Sequence, residues 1–189
     1  MAGNLTRDEA RERARLLSVQ SYAVELDLTE GEERFESVTT VRFTSAQAGA
    51  ETFIDLADAK VRKAVLNGTE LDVSGYDPET GRLPLPALAE TNELRVDADC
   101  SYTRTGEGLH RFVDPVDKSV YLHSQFETAD AHRMYACFDQ PDLKATFELT
   151  VLAPSYWEVI SNAAPDSAEE LQEHHGRHGA LQALSLIHI

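Results

Sequence analysis

The sequence predicts a mainly β domain, an antiparallel saddle-shaped β-sandwich with a short N-terminal helix. Three observations predict it: short segments alternate apolar and polar residues, polar turns separate these segments, and a helix-start signal lies near the amino terminus. Seven or more short strands separated by turns are typical of antiparallel sandwiches, whereas parallel α/β folds interleave their strands with helices.

The helix-start signal is the tetrapeptide Thr6-Arg7-Asp8-Glu9, which fits a capping box. In this arrangement the Thr6 hydroxyl accepts a hydrogen bond from a first-turn N–H, and the Glu9 carboxylate returns one to the backbone of Thr6. We therefore expect a short helix through about Leu17, and we assign residues 1–17 to an N-terminal helix or extension.

The next two segments predict a β-hairpin. Apolar residues recur at every second position from Tyr22 to Leu28, and a polar turn around Gly31 follows. The second segment keeps Phe35 and Phe43 on one face, so the two segments are expected to pair.

Further strands are expected along the rest of the chain, with Asn67-Gly68 as a tight turn because both residues tolerate positive φ. They are predicted at 53–56, 61–66, 71–73, 94–102, 147–151 and 157–160. The interval 103–141 differs, because it sustains neither a helical nor a strand period. Long irregular segments on a β scaffold often carry function.

The overall charge excludes two classes of partner. The 189 residues include 33 acidic and 17 basic residues, a formal net charge of -16, which repels nucleic acid and anionic membranes. No run approaches the roughly 20 apolar residues of a membrane span, and the start of the chain is charged where a secretory signal is apolar. We therefore expect a cytoplasmic location.

The chain has two cysteines, Cys100 and Cys137, without the paired spacing of a metal knuckle or redox motif. We expect both to be reduced thiols, and a disulfide or a reactive role is the alternative.

Several distinctive motifs follow one another between residues 105 and 147. They are residues 105–110, Asp114, Tyr121, the run 125–133 (Gln-Phe-Glu-Thr-Ala-Asp-Ala-His-Arg), residues 137–141 (Cys-Phe-Asp-Gln-Pro) and residues 144–147. In order and spacing they resemble the aminopeptidase N family of zinc metalloaminopeptidases, and the resemblance extends over residues 19–163.

The resemblance implies a saddle-like β domain, residues 18–165, whose irregular segment projects into the active site of a following thermolysin-like domain. It implies that Gln125 and Glu127 hold the free amino terminus of a peptide substrate. It also implies zinc in the full-length enzyme, with neither a metal ligand nor a catalytic residue in this chain. The expected partners are a peptide amino terminus and the missing catalytic domain.

A Gln-x-Glu pair suits this role chemically. Residues two apart on an extended segment point to the same side and can converge on one ligand group. An α-ammonium has three donors, which a glutamate carboxylate accepts with charge assistance and a glutamine carbonyl accepts without it. An internal peptide bond has no ammonium to offset the desolvation of Glu127, so the pair favours exopeptidase action. Taken alone, Gln-x-Glu is usually a solvated strand face.

Structural roles are expected for the neighbouring polar residues. Asp139-Gln140-Pro141 predicts a turn in which Pro141 presets φ and Asp139 bonds local backbone. Arg133 is expected to pair with Asp130 or Asp139 and so to shape the Gln125 segment. The histidines His110, His123 and His132 lack a common metal-ligand spacing.

The zinc motif that the family requires, His-Glu-x-x-His, is absent from these residues. Its nearest counterpart is 174–178 (His-His-Gly-Arg-His), which lacks the glutamate base and carries Gly176. We therefore expect no catalytic zinc site there. Residues 166–189 do not match the family and are expected to be an artefactual or disordered tail, with a poor helix over 169–184.

Two functions follow as hypotheses. The first is the substrate-anchoring N-terminal domain of a zinc-dependent aminopeptidase that releases N-terminal amino acids, with this truncated chain inactive by itself. The alternative is a free-standing β-sandwich that binds peptides or a protein without catalysis. An exposed apolar face, where a partner domain would sit, favours the first.

Overall fold

The computed structural model describes residues 5–29, 31–174 and 177–188, with side chains described within 5–29 and 31–168. The described part contains one α-helix, twelve strands and two single 3₁₀ turns. The helix is α1 (Arg7–Leu16), and the strands are β1 (Leu17–Asp27), β2 (Arg34–Ser45), β3 (Thr52–Asp55), β4 (Ala59–Leu66), β5 (Thr69–Glu70), β6 (Arg82–Leu85), β7 (Thr91–Ser101), β8 (Gly108–Val113), β9 (Val120–Gln125), β10 (Thr146–Pro154), β11 (Ser167–His174) and β12 (Arg177–His188).

The N-terminal helix begins at the predicted capping box. The Glu9 N–H donates to the Thr6 hydroxyl at 3.3 Å, and the Thr6 N–H donates to the Glu9 carboxylate at 2.8 Å. The helix ends at Leu16, since Leu17 adopts the extended conformation and begins β1. The predicted helix is therefore confirmed to within one residue.

Eight strands form one large sheet in the order β11-β12-β10-β1-β2-β7-β4-β5, and two small sheets consist of β3-β6 and β8-β9. The mainly β prediction is confirmed. The large sheet is mixed, because β1 runs parallel to β10 while β1 and β2 form the expected antiparallel pair. Parallel neighbours require a long connection, and the whole of the chain from β2 to β9 provides it.

The core lies between the large sheet and the small sheet β3-β6. Phe43 of β2 and Leu94 of β7 belong to the same buried cluster as Ile54 of β3 and Leu83 of β6. All four side chains are at most 1% exposed. The alternation seen in the sequence therefore marks the faces that the two layers bury.

Both cysteines are confirmed as free thiols and are buried. Burial raises the pKa of Cys100 to about 12, and it also raises the pKa of Cys137. The thiolate forms are disfavoured, which fits core residues.

Four sequence predictions are wrong. Residues 157–160 form no strand, and at 71–73 the chain instead enters a 3₁₀ turn, Val73–Gly75. The interval 103–141 is not irregular throughout, because β8 and β9 form a hairpin within it. The helix over 169–184 is replaced by β11 and β12, since the edge of β10 offers backbone groups that β12 satisfies in antiparallel register. The boundary at residue 165 and the artefactual tail stay predictions.

Candidate functional site

Gln125 and Glu127 lie where the β8-β9 hairpin gives way to a turn. Gln125 is the last residue of β9, and residues 127–130 form the turn. Both side chains are exposed to solvent, and the Glu127–Thr128 peptide bond is cis. The two predicted site residues therefore lie together at one end of a short strand, accessible to a ligand.

Phe126, between them, anchors the segment to the core. It packs against the core cluster, and its ring lies 6.1 Å from that of Tyr135 in an edge-to-face arrangement. The Tyr135 ring contacts those of Tyr22 and Phe147 in turn. Phe126 is half-buried while Gln125 and Glu127 are exposed, so the two polar side chains lie on the solvent side of the segment.

The side-chain amide of Gln125 is partly engaged with its own backbone. The Phe126 N–H donates to the Gln125 Oε1 at 3.1 Å. A carbonyl oxygen has two lone pairs, so one remains for a donor from a ligand. The exposed Glu127 carboxylate supplies further acceptor positions.

Gly108 lies opposite Gln125 and is its partner in the β8-β9 register. Gly108 has a φ of +62°, and a Cβ placed on it would lie 2.6 Å from the Cβ of Arg133. Real Cβ atoms do not approach so closely, so only glycine fits there without a shift. The Arg133 side chain consequently packs directly on the strand that pairs with Gln125.

Arg133 also ties down the turn that carries Glu127. Its Nε donates to Asp130 at 2.8 Å, and its Nη1 lies 2.5 Å from the Asp58 carboxylate. The Asp130 N–H in turn donates to the carbonyl of Phe126 at 3.1 Å. Partial burial acts to lower the pKa of Arg133, but the bond to Asp130 and the charges of Asp58 and Asp130 outweigh it and raise that pKa.

The predicted pair between Arg133 and Asp130 is therefore confirmed. Asp139, the other partner considered, lies instead against His132, with 2.5 Å between its carboxylate and Nδ1. The same carboxylate accepts the His132 N–H at 3.2 Å. Asp58 was missed by sequence reasoning, because 75 positions separate it from Arg133 and no local pattern joins them.

The segment Asp139-Gln140-Pro141 has the expected structural role. The Leu143 N–H donates to the Gln140 carbonyl at 3.0 Å, which closes a turn with Pro141 at its second position. The Gln140 side chain accepts from Arg13 Nε at 3.1 Å and donates to the Ala10 carbonyl at 2.8 Å, so the turn is anchored to α1.

Gln125 and Glu127 offer exposed oxygen acceptors, and no metal-binding group lies among the described side chains. Among the residues with described side chains, no group of three or more His, Cys, Asp or Glu residues is placed to hold a metal. His110 and His123 face each other across the hairpin with ring centroids 4.7 Å apart, but the structure gives them no third ligand. These residues do not fit a catalytic zinc site, and the histidine side chains of 174–178 lie outside the described part.

Among the residues that the structure describes, no helix has the length and apolar character needed to cross a bilayer.

Sequence comparison with known proteins identifies the family of the chain. A sequence profile described as the Peptidase M1 N-terminal domain matches residues 18–178. A protein of Streptomyces lividans named Aminopeptidase N is 54% identical over 174 residues, which cover 90% of this chain and 20% of that protein.

More distant relatives show the same pattern of partial coverage. Aminopeptidase N of Rattus norvegicus is 34% identical over 68 residues, 35% of this chain and 7% of that protein. Probable aminopeptidase 1 of Sulfurisphaera tokodaii is 25% identical over 148 residues, 78% of this chain and 18% of that protein. This chain thus spans about a fifth or less of the length of these relatives. The extent of the profile match and the similarity to the Streptomyces protein show that the chain belongs to the Peptidase M1 N-terminal domain family.

Proposed function

We propose that this chain is the substrate-anchoring domain of a zinc-dependent aminopeptidase that releases amino-terminal residues from peptides. The observation that carries the proposal is the outward presentation of Gln125 and Glu127 at a strand end that Phe126 anchors from within. The pair offers one charged and one neutral acceptor to a free α-ammonium. In this proposal the catalytic zinc and its ligands belong to another domain, and the chain alone hydrolyses nothing.

The rigidity of the segment supports an anchoring role. Arg133 contacts both sides of it, through Gly108 beside Gln125 and through Asp130 in the turn of Glu127. A site whose backbone is held in place loses less conformational entropy on binding. The backbone that carries Glu127 therefore needs less ordering when a ligand binds.

Exposed apolar residues are consistent with a neighbouring domain that packs against this one. Tyr156 is 83% exposed and Ile160 is 81% exposed, and both belong to the segment that follows β10. Both line the same cleft, and exposed apolar residues that cluster are normally covered by a partner. They favour an anchoring domain that packs on a catalytic domain over the alternative, a free-standing peptide- or protein-binding module.

A chimaera tests the proposal, because the Streptomyces relative is similar enough to accept this domain. Residues 18–165 replace the matching segment of that relative, and Glu127→Ala is introduced. Loss of a charge-assisted bond of about 1.5–3 kcal/mol is expected to lower kcat/KM for aminoacyl substrates about ten- to a hundredfold.

Glu90→Ala, at an exposed carboxylate outside the hairpin, is the matched control and is expected to leave kcat/KM unchanged. Equal kcat/KM in the Glu127→Ala chimaera and its parent would exclude the anchoring role and leave the binding-module hypothesis in its place.

A further inference from the structure

The outward face of the β8-β9 hairpin continues from Gln125 as a row of rings. In the antiparallel register Gly108, His110 and Phe112 lie opposite Gln125, His123 and Tyr121. Side chains alternate along a strand, so these six residues share one face. The other face is the one that packs inward, because Leu109 is 6% and Arg111 7% exposed and Leu122 contacts the core.

Two cross-strand ring pairs make up this row. The His110 and His123 rings lie 4.7 Å apart at 38°. Phe112 is 45% exposed and Tyr121, directly opposite, is 54% exposed. Exposing large rings to water costs free energy, and covering them with another ring lowers that cost.

The composition of the row indicates which ligand it would take. The Gly106 N–H donates to His110 Nδ1 at 3.1 Å, and this bond orients the His110 ring beside the exposed rings of Phe112 and Tyr121. Aromatic rings pack favourably against one another in stacked or edge-to-face arrangements, so the row suits an aromatic side chain.

The row lies within reach of a peptide held at Gln125. His123 is two residues from Gln125 and Tyr121 four, which is about 7 Å and about 13 Å along a strand. An extended peptide advances about 3.3–3.6 Å per residue, so its first four residues cover this distance. A cleft of about 570 Å³ is lined by Tyr121 and His123 of this row, by Leu109 and Leu122 of the other face of the hairpin and by Trp157.

We propose that His123 and Tyr121, with their partners His110 and Phe112, are specificity-determining residues that select peptides carrying an aromatic side chain near the free amino terminus. This inference rests on the proposed function, since it takes Gln125 and Glu127 as the anchor of that terminus. The ring row then contacts the side chain of one of the first residues of the peptide.

The test uses the same chimaera and four tetrapeptides: tetra-alanine and its analogues with phenylalanine at position 1, 2 or 3. In His123→Ser and Tyr121→Ser variants, kcat/KM for at least one phenylalanine peptide is expected to fall about two- to tenfold, chiefly through KM. Tetra-alanine is expected to be unaffected. His123→Phe restores a ring and is expected to keep the preference, and Val116→Ser, at an exposed apolar residue of the same hairpin, serves as the control.

The outcomes separate this inference from the proposed function. The quantity compared is the ratio of kcat/KM for the phenylalanine peptides to kcat/KM for tetra-alanine. If Glu127→Ala lowers kcat/KM for all four peptides but this ratio is the same in the parent, His123→Ser and Tyr121→Ser, the ring row has no part in specificity. In that case only this inference fails. If Glu127→Ala has no effect on any peptide, the anchor itself is wrong and both fail. A ratio that falls in both serine variants and is retained in His123→Phe supports the inference.

Discussion

At the scale of single residues, the site depends on a position without a side chain. Gly108 combines a positive φ with an approach to Arg133 that leaves no room for a Cβ. It is also the register partner of Gln125. A contact between a glycine and an arginine therefore sets the position of a glutamine on the neighbouring strand.

Gly108→Ala is expected to destabilise the chain by about 1–3 kcal/mol, because the added methyl group must displace Arg133 or the strand. Urea unfolding measures the change. Gly68→Ala is the matched control, since Gly68 also has a positive φ, of +80°, but an added Cβ there would meet nothing within 4 Å. Equal losses in the two variants would mean that the backbone conformation alone sets the cost and that the Arg133 contact contributes nothing.

The residue scale also shows what sequence alone provides for the site. Gln125 and Glu127 were found through the family resemblance, because an isolated Gln-x-Glu pattern has no specificity. Arg133 and Asp130 are three positions apart, and their pairing follows from local geometry. Asp58 and Tyr135 reach the segment only through the tertiary fold, so nothing near them in the sequence marks them.

At the scale of elements, α1 is held to the domain by charged groups. Arg13 is 3% exposed, pairs with Asp55 at 2.7 Å and donates to Gln140. On the same helix Glu9 forms an ion pair with Arg82 at 2.7 Å. The helix thus links the start of the chain to the turn that follows the candidate site.

The Glu9 pair predicts a pH dependence of stability. The hydrogen bond from Arg82, followed by bonds from Thr6, lowers the pKa of Glu9 from 4.5 to about 2. A carboxyl group with a lowered pKa in the folded state contributes stability above its unfolded pKa. That contribution is lost as the pH falls from about 4.5 towards about 2. The contribution is small, because the Glu9 side chain is 34% exposed and solvent screens the pair.

Glu9→Gln is accordingly expected to flatten the dependence of the unfolding free energy on pH between about 4.5 and about 2. Urea midpoints across this interval provide the measurement, with Glu12→Gln, at an exposed position of the same helix, as the control. Identical slopes in Glu9→Gln and the parent chain would show that the Arg82 pair contributes nothing to folding.

The elements that the sequence predicts well are those with one buried and one solvated face. β7 alternates buried and exposed residues along nearly its whole length, which is why its period is clear in the sequence. The β8-β9 hairpin was missed because its outward face also carries rings, so apolar residues do not recur at every second position. The strands were missed because of the ring row, and the same ring row is the proposed specificity surface.

At the scale of the whole molecule, the described side chains include no group of three or more His, Cys, Asp or Glu residues placed to hold a metal. The proposed function places the zinc ligands in another domain, and under it the chain itself is expected to release no amino acid from aminoacyl p-nitroanilides, with or without added Zn²⁺. A colorimetric assay measures this, with the unmodified Streptomyces relative as the positive control. Zinc-dependent release by the chain that a chelator abolishes would contradict the prediction.

The parallel pairing of β1 with β10 has a consequence for the synthesis of the domain. Ser21 pairs with Thr146, so one edge of β1 stays open until nearly all of the family-like region has left the ribosome. At ordinary elongation rates this delay is on the order of ten seconds. During that time the nascent chain exposes an unpaired strand edge that other polypeptides can bind, and chaperones have their longest access to the domain at this stage.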